Sequence, residues 1–306
     1  MFDTIKLKAK FITIDPMILD QLQAKSITFL EKSTGQLITK YTIKDALLPS
    51  ITYYEFSQTL TIQVSIPKFL YGNNVTLLKE SDIPLFFQRL HERLYELFHI
   101  QLHTQNWKDT ERIDVCWNFP RQDTISSYIK ELSGIQLPFT KPSTHGHSET
   151  AIHSNKSKRI CFYNKQQECI DHKEPQSIID QAKGLLRMEI KPSYVVMRKY
   201  SAQRRAIDLL TKDFFEYITN QVLTKISLPT HIEGLTLEWF QSQSHSIGQI
   251  ESMLGFQVLQ TYLNESELKQ IYRPSTFANK KKLAKQIQFP SDLSLEPLTI
   301  DYSHIS

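Results

Sequence analysis

Three segments between residues 107 and 191 alternate apolar and ionisable side chains with a period of two, and this pattern limits what the chain can fold into more than any other. In RIDVCWNF, Ile113, Val115, Trp117 and Phe119 fall on one side and Arg112, Asp114, Cys116 and Asn118 on the other. In KRICFYNK, Ile160 and Phe162 oppose Arg159, Cys161, Tyr163 and Lys165; in LLRMEIK, Leu186, Met188 and Ile190 oppose Arg187, Glu189 and Lys191. A period of two belongs to β-strands, so each segment buries one face and turns a short polar row the other way. If the three lie in one sheet with polar faces aligned, Asp114, Tyr163, Lys165 and Glu189 converge.

The surrounding pattern predicts an α+β fold. Residues 1 to 80 read as strands and turns; in TLTIQVSIP, Leu60, Ile62, Val64 and Ile66 alternate with Thr61, Gln63 and Ser65. Gly72, Asn73 and Asn74 are turn residues, and Ser81 offers an N-cap for a helix through His99. There Phe86, Phe87, Leu90, Leu94, Leu97 and Phe98 recur at three and four residues, an apolar stripe suited to a sheet. After Lys191 the period turns helical: Ile207, Leu210, Phe214, Ile218 and Val222 keep one stripe, and the tail from about 228 is mostly helical.

Composition excludes several classes. With 306 residues, 40% hydrophobic and 22% charged, the chain reads as soluble and globular, one main domain with a smaller appendage. Lys and Arg number 36 against 32 Asp and Glu, too small an excess to argue nucleic-acid binding by itself. Cys116, Cys161 and Cys169 lack metal-ligand spacing and are odd in number, which argues against a disulfide framework and for a reducing cytosol. The start, MFDTIKLKAKF, alternates like a strand and has no signal-peptide core, and no apolar run reaches membrane-spanning length. Without GxGxxG or GxxxxGKS, nucleotide-driven motors and dinucleotide oxidoreductases are disfavoured.

Each candidate constellation has a plainer alternative. Asp114 and Glu189, with Glu168 five residues after Tyr163, supply the hard oxygens that Mg²⁺ or Mn²⁺ prefers; the alternative is solvated charge paired with Arg112 and Arg187, two residues away. Tyr163 and Lys165 set a cation near a phenol, which is a poor nucleophile unless its ionised form is favoured; the alternative is a packed ring beside a snorkelling lysine. His145 and His147 suggest a metal pair, but KPSTHGHSET reads as a loop, and His153 beyond it is undecided. Three acid-free basic stretches suit phosphate contacts: Lys156, Lys158, Arg159 with Lys165; Arg198, Lys199, Arg204, Arg205; and Arg273, Lys280, Lys281, Lys282, Lys285 on a helix that Ser275 or Thr276 would cap. A charge run is more often a solvated face.

In order, MFDTIKLKAKF, IPKFLYGNNV, ERIDVCWNF, KSKRICFYNKQQE, GLLRMEIK and YRPSTFANKKKLAKQI resemble the gene II/X replication initiators of filamentous phages and related plasmids, over most of residues 1–290. The resemblance implies an antiparallel sheet with helices on one face, a nickase core over 1–203 and a helical, DNA-binding region over 204–306. It implies rolling-circle initiation: a strand tyrosine attacks an origin phosphodiester, forms a 5′-phosphotyrosyl link and frees a 3′-hydroxyl primer. The family's YxK element falls on Tyr163 and Lys165 with Glu168, and its RID and RxE acids on Asp114 and Glu189 as holders of Mg²⁺ or Mn²⁺. Tyr194 and Tyr200, beside Arg198 and Lys199, are the alternative nucleophiles. The better-known histidine-hydrophobic-histidine pair is absent from the strands. The implied partners are origin DNA, supercoiled duplex and single-stranded, with a host helicase and polymerase, in the bacterial cytoplasm; an oligomer is allowed and a membrane is not. A non-catalytic origin-binding or copy-number regulator on the same fold is the competing class, and it has no need of the full polar set.

Overall fold

The computed structural model describes residues 1–145, 149–226, 228, 237–287 and 295–305. Ten strands form one antiparallel sheet: β1 (Phe2–Ala9), β2 (Lys25–Glu31), β3 (Gln36–Ile43), β4 (Ser50–Tyr54), β5 (Thr59–Ser65), β6 (Asp109–Pro120), β7 (Lys141–His145), β8 (Thr150–Ser154), β9 (Arg159–Asn164) and β10 (Leu185–Lys191). Their order across the sheet is β2-β3-β4-β5-β1-β6-β10-β9-β8-β7. With helices between and after these strands, the fold is α+β with a helical C-terminal region.

The strand parity expected from the sequence is the parity of the sheet. Ile113, Val115, Ile160, Phe162, Leu186, Met188 and Ile190 are buried on one face, joined by Phe2, Ile5, Leu60, Ile62 and Val64. The helix Lys212–Leu223 packs there, its Phe215 ring 6.2 Å from Phe2 and 5.8 Å from Trp117. The helix Ile125–Gly134 covers β8 and β9. Buried aromatic area of this kind is the main stabilising term for such a layer.

Helix boundaries differ locally from the sequence expectation. The helix expected from Ser81 begins at Ile83, where Pro84 fits the first turn, and ends at Phe98 with His99 in the left-handed conformation. The stripe from Ile207 to Val222 is broken at Leu210–Thr211 into Ala206–Leu209 and Lys212–Leu223, and Thr211 caps the second helix through Phe214 N. Residues 141–145 form an edge strand rather than a loop, because β8 supplies backbone partners that local composition does not reveal. Pro274 opens the helix expected to be capped by Ser275 or Thr276, and neither acts as its cap.

Two glycines are required by backbone geometry. Gly72 ends the helix Ile66–Tyr71 with φ +76°, and Gly184 has φ +70° where an added Cβ would stand 3.1 Å from Gln122 Cα. The Gly184 carbonyl accepts from Arg121 N and Gln122 N, which ties the entry of β10 to the end of β6.

The chain divides into two compact units, Met1–Ser227 with Leu298–Ser306, and Leu228–Pro297. The boundary expected after residue 203 falls inside the first unit, since Phe214, Phe215, Ile218 and Val222 are core residues of the sheet layer. The second unit has its own core of Ile250, Met253, Phe256, Leu268, Phe277 and Ile287. Among the described residues, no helix is long and apolar enough to cross a membrane.

Candidate active site

The site grows from three neighbouring strands. β10 pairs with β6 so that Glu189 lies opposite Cys116 and Arg187 opposite Asn118, and with β9 so that Arg187 lies opposite Tyr163 and Glu189 opposite Cys161. Residues directly opposite share a face, so Asp114, Tyr163, Arg187 and Glu189 occupy the polar side together. Asp114, Tyr163, Glu168 and Glu189 line one cleft of about 970 Å³, whose rim carries Lys156, Lys158, Arg159 and Lys191.

Tyr163 is nearly buried, and its hydroxyl donates to Glu189 Oε1 at 2.5 Å. Burial and the charge of Glu189 push the phenol well above its ordinary range, so the resting tyrosine holds its proton. Arg187 Nε donates to the same Glu189 oxygen at 3.1 Å. Glu189 Oε2 takes no hydrogen bond from a described residue, leaving one carboxylate oxygen available to the cleft.

Arg187 organises the floor and is fully buried. Its Nη2 reaches Asp3 Oδ2 at 3.0 Å, and its Nη1 donates to Asn74 O at 2.9 Å and Asn118 Oδ1 at 3.2 Å. Asp3 also accepts from Ser65 Oγ at 2.6 Å. A buried charge persists only when paired and hydrogen-bonded, and here every guanidinium nitrogen has a partner. Near this end Asn118 Nδ2 donates to Val75 O, and Val75 packs with Cys169 and Ala182 from the region of the helices Lys165–Asp171 and Gln176–Gln181.

Asp114 is buried and bound through both oxygens to Arg112 Nε at 2.9 Å. Burial raises its pKa; Arg112 opposes the rise, and the negative charges of Glu189 and Asp3 add to it. The pairs Arg112–Asp114 and Arg187–Glu189 anticipated as the plain alternative therefore both form, but partly or wholly out of solvent.

Lys165 does not continue the face of Tyr163. Asn164 caps a helix through Gln166 N and Gln167 N, so Lys165 is its first residue, and its ammonium turns inward to Asn74 Oδ1 at 2.9 Å and Glu168 Oε2 at 2.7 Å. It lies 6.0 Å from the centroid of the Tyr163 ring. Glu168 is thereby engaged at the cleft wall.

A divalent cation can be tested against these groups. Asp114 and Glu189 are hard donors on one cleft, and the repulsion that helps raise the Asp114 pKa is what a cation relieves; Glu189 offers its free oxygen, while Asp114 would share with the ion the oxygens that Arg112 holds. Glu168 is likewise held by a cation, Lys165, through Oε2. Among the described residues no three His, Cys, Asp or Glu side chains form a ready cage, so such an ion would complete its shell with water and phosphate oxygens.

The other candidates lie apart. Tyr194 carries the Arg204 guanidinium 3.9 Å above its ring, and Tyr200 packs on Phe214 and Tyr217 at 4.9 and 5.2 Å; neither lines the cleft. His153 is buried on the apolar face, where its Nε2 donates to Leu132 O at 2.8 Å and burial lowers its pKa. It is a neutral core residue. The side chain of His145 and the whole of His147 lie outside the described residues. All three cysteines are free and buried, and burial raises Cys161 at the cleft to about 11, which leaves a poor nucleophile.

Of the basic stretches, Lys156, Lys158 and Arg159 stand at the rim. Arg204 is buried against Asp109 and Thr110 O, and Arg205 pairs with Asp208, which leaves Arg198 and Lys199 exposed on the helix Tyr194–Tyr200. In the second unit Lys280 bonds to Ser252 and Lys281 pairs with Glu265 at 2.8 Å, while Arg273, Lys282 and Lys285 are exposed.

Sequence reasoning missed Asp3, Asn74 and Asn118 and gave Arg187 only a surface pair. Asn118 is visible by parity on the polar face of β6; Asp3 and Asn74 carry no local signal, because they reach Arg187 across 184 and 113 residues of chain. A family model for the N-terminal part of the phage replication-associated proteins of the gene II family matches residues 26–209, which take in β6, β9 and β10. No curated protein matches the chain.

Proposed function

We propose that this chain, which belongs to the gene II family of phage replication-associated proteins, initiates rolling-circle replication by cutting and rejoining one strand of origin DNA. The observation that carries the reading is a nearly buried tyrosine hydroxyl held by a carboxylate inside a basic-rimmed cleft. A purely binding protein does not require a phenol held by an acid in its cleft, whereas a nucleophile needs a positioned proton acceptor.

In this reading the scissile phosphate enters the cleft past Lys156, Lys158, Arg159 and Lys191. Tyr163 Oη attacks phosphorus as its proton passes to Glu189; the new O–P bond forms while the bond to the 3′ oxygen breaks. Glu189 then returns the proton to the departing 3′ oxygen, directly or through water. The products are a 5′-phosphotyrosyl link and a free 3′-hydroxyl. Because the phosphodiester is exchanged rather than hydrolysed, a later 3′-hydroxyl reverses the attack and joins the ends.

Arg187 keeps Glu189 aimed at the phenol, and Lys165 holds Glu168 and Asn74 in place while adding positive potential near the ring. Asp114 and the free oxygen of Glu189 would hold Mg²⁺ or Mn²⁺, whose charge offsets that building on the phosphate oxygens. The exposed Arg198, Lys199, Arg273, Lys282 and Lys285 serve DNA affinity. The activity belongs in a bacterial cytoplasm, where a host helicase and polymerase would use the freed primer. Incubation with supercoiled origin DNA and Mg²⁺ tests the reading: open circles carrying covalently bound protein are expected, and origin binding with no strand cleavage would refute it.

A further inference from the structure

The two edges of the sheet are built differently. β7 carries Pro142, which has no N–H to offer a further strand. β2 is seven residues long without proline or glycine, and all of it except Glu31 is exposed. Ile27, Phe29 and Leu30 lie open to solvent there, with Leu37 opposite Leu30 on β3. An unblocked apolar edge of this kind is a template for strand addition.

The order of side chains says which strand fits it. Set antiparallel to itself about Thr28, the sequence KSITFLE places Lys25 opposite Glu31 of the second copy, Ser26 opposite Leu30, and Ile27 opposite Phe29. Opposed residues share a face, so on the side of Lys25, Ile27, Phe29 and Glu31 opposite charges meet at both ends with Ile27–Phe29 pairs between them, while Ser26, Thr28 and Leu30 meet their counterparts on the other side. Centring on Ile27 would set Lys25 against Phe29, and centring on Phe29 would set Glu31 against Ile27. Only the register at Thr28 matches both charges. Lys25 makes no ion pair with a described residue of its own chain, so its ammonium is available.

We propose that two copies of the chain pair through β2, antiparallel and two-fold about Thr28, into one continuous sheet. Such an isologous contact closes at two copies and does not propagate. Seven strand spacings, roughly 33 Å, separate β2 from β9 along the sheet, so the pairing leaves the cleft free.

Sedimentation equilibrium over a concentration series tests this with the full chain. A reversible dimer is expected for the wild type. Thr28→Lys should give a monomer, because two ammoniums would face each other on the axis. Lys25→Glu and Glu31→Lys should each weaken the dimer by about tenfold, and the double exchange should restore it. Thr28→Cys should cross-link to its own copy under mild oxidation, since directly opposed strand residues lie within disulfide reach, whereas Ile27→Cys should not. A wild type that stays monomeric, a dimer indifferent to Thr28→Lys, or a double exchange that fails to restore association would overturn the proposal.

Discussion

The hydroxyl of Tyr163 on β9 donates to Glu189 Oε1 on β10 across 2.5 Å, and Arg187 Nε reaches the same oxygen at 3.1 Å. In the proposed reaction the proton that leaves as the phenol attacks already lies on a bond to Glu189. The arrangement gives Glu189 a role separable from that of Asp114.

Glu189→Gln keeps the shape and removes the acceptor. Single-turnover cleavage of a single-stranded origin oligonucleotide should fall by about 10²–10⁴. Raising Mg²⁺ should not restore it, because an amide cannot take the phenol proton. Full recovery at high metal would assign Glu189 to metal binding alone.

Asp114→Asn should behave differently. The carboxyl pKa is raised in the fold, so the native state binds that proton more tightly than the unfolded chain, and stability declines as pH rises through the raised value. Replacing a buried, penalised charge by an amide should raise Tm near neutral pH, with the gain shrinking toward about pH 4. Cleavage should demand more Mg²⁺ and recover as it is supplied. Thermal melts across that pH range check the first part and metal titration the second; a gain that grows toward acid would contradict it.

Arg187→Met should be strongly destabilising, by about 3–5 kcal/mol, because it leaves Asp3 and Glu189 without their shared buried cation. Urea unfolding measures it. Arg112→Met strands one buried carboxylate, Asp114, rather than two, and should cost less, with the loss shrinking toward acid as Asp114 takes up a proton.

How far the site can be read from the chain depends on the range of each interaction. Strand parity is local, and it is enough to put Asp114, Tyr163 and Glu189 on one face and Ile113, Phe162 and Met188 on the other. Lys165 is misplaced when parity is carried one residue past Asn164; Asn164 followed by Glu168 in the first helical turn is the available cue for a helix start. Parity gives Arg187 its neighbour Glu189 but not its long-range partners, Asp3, which the sheet order brings near, and Asn74, which the loop after Gly72 carries in. The basic stretches overstate free charge, since Arg204, Arg205, Lys280 and Lys281 each have partners that a linear reading does not see.

The partners of Lys280 and Lys281 separate the lysines after Phe277 into two groups. Lys282→Gln with Lys285→Gln should lower the salt slope of duplex binding by roughly 1.8, two phosphate contacts at about 0.9 each. Lys280→Gln should leave the slope unchanged and lower the melting temperature of the second unit, because Lys280 bonds to Ser252. Binding titrations at several salt concentrations decide; a flat response to the double substitution would leave those lysines no DNA role.

The most direct test concerns the bond that the reaction makes. Tyr163→Phe removes one oxygen from a ring that still packs, so origin binding should stay close to wild type while the covalent protein–DNA adduct disappears on denaturing gels. Tyr194→Phe and Tyr200→Phe, whose rings lie outside the cleft, should form adduct at wild-type levels. An adduct that persists in Tyr163→Phe and is lost in either of the others would contradict the account.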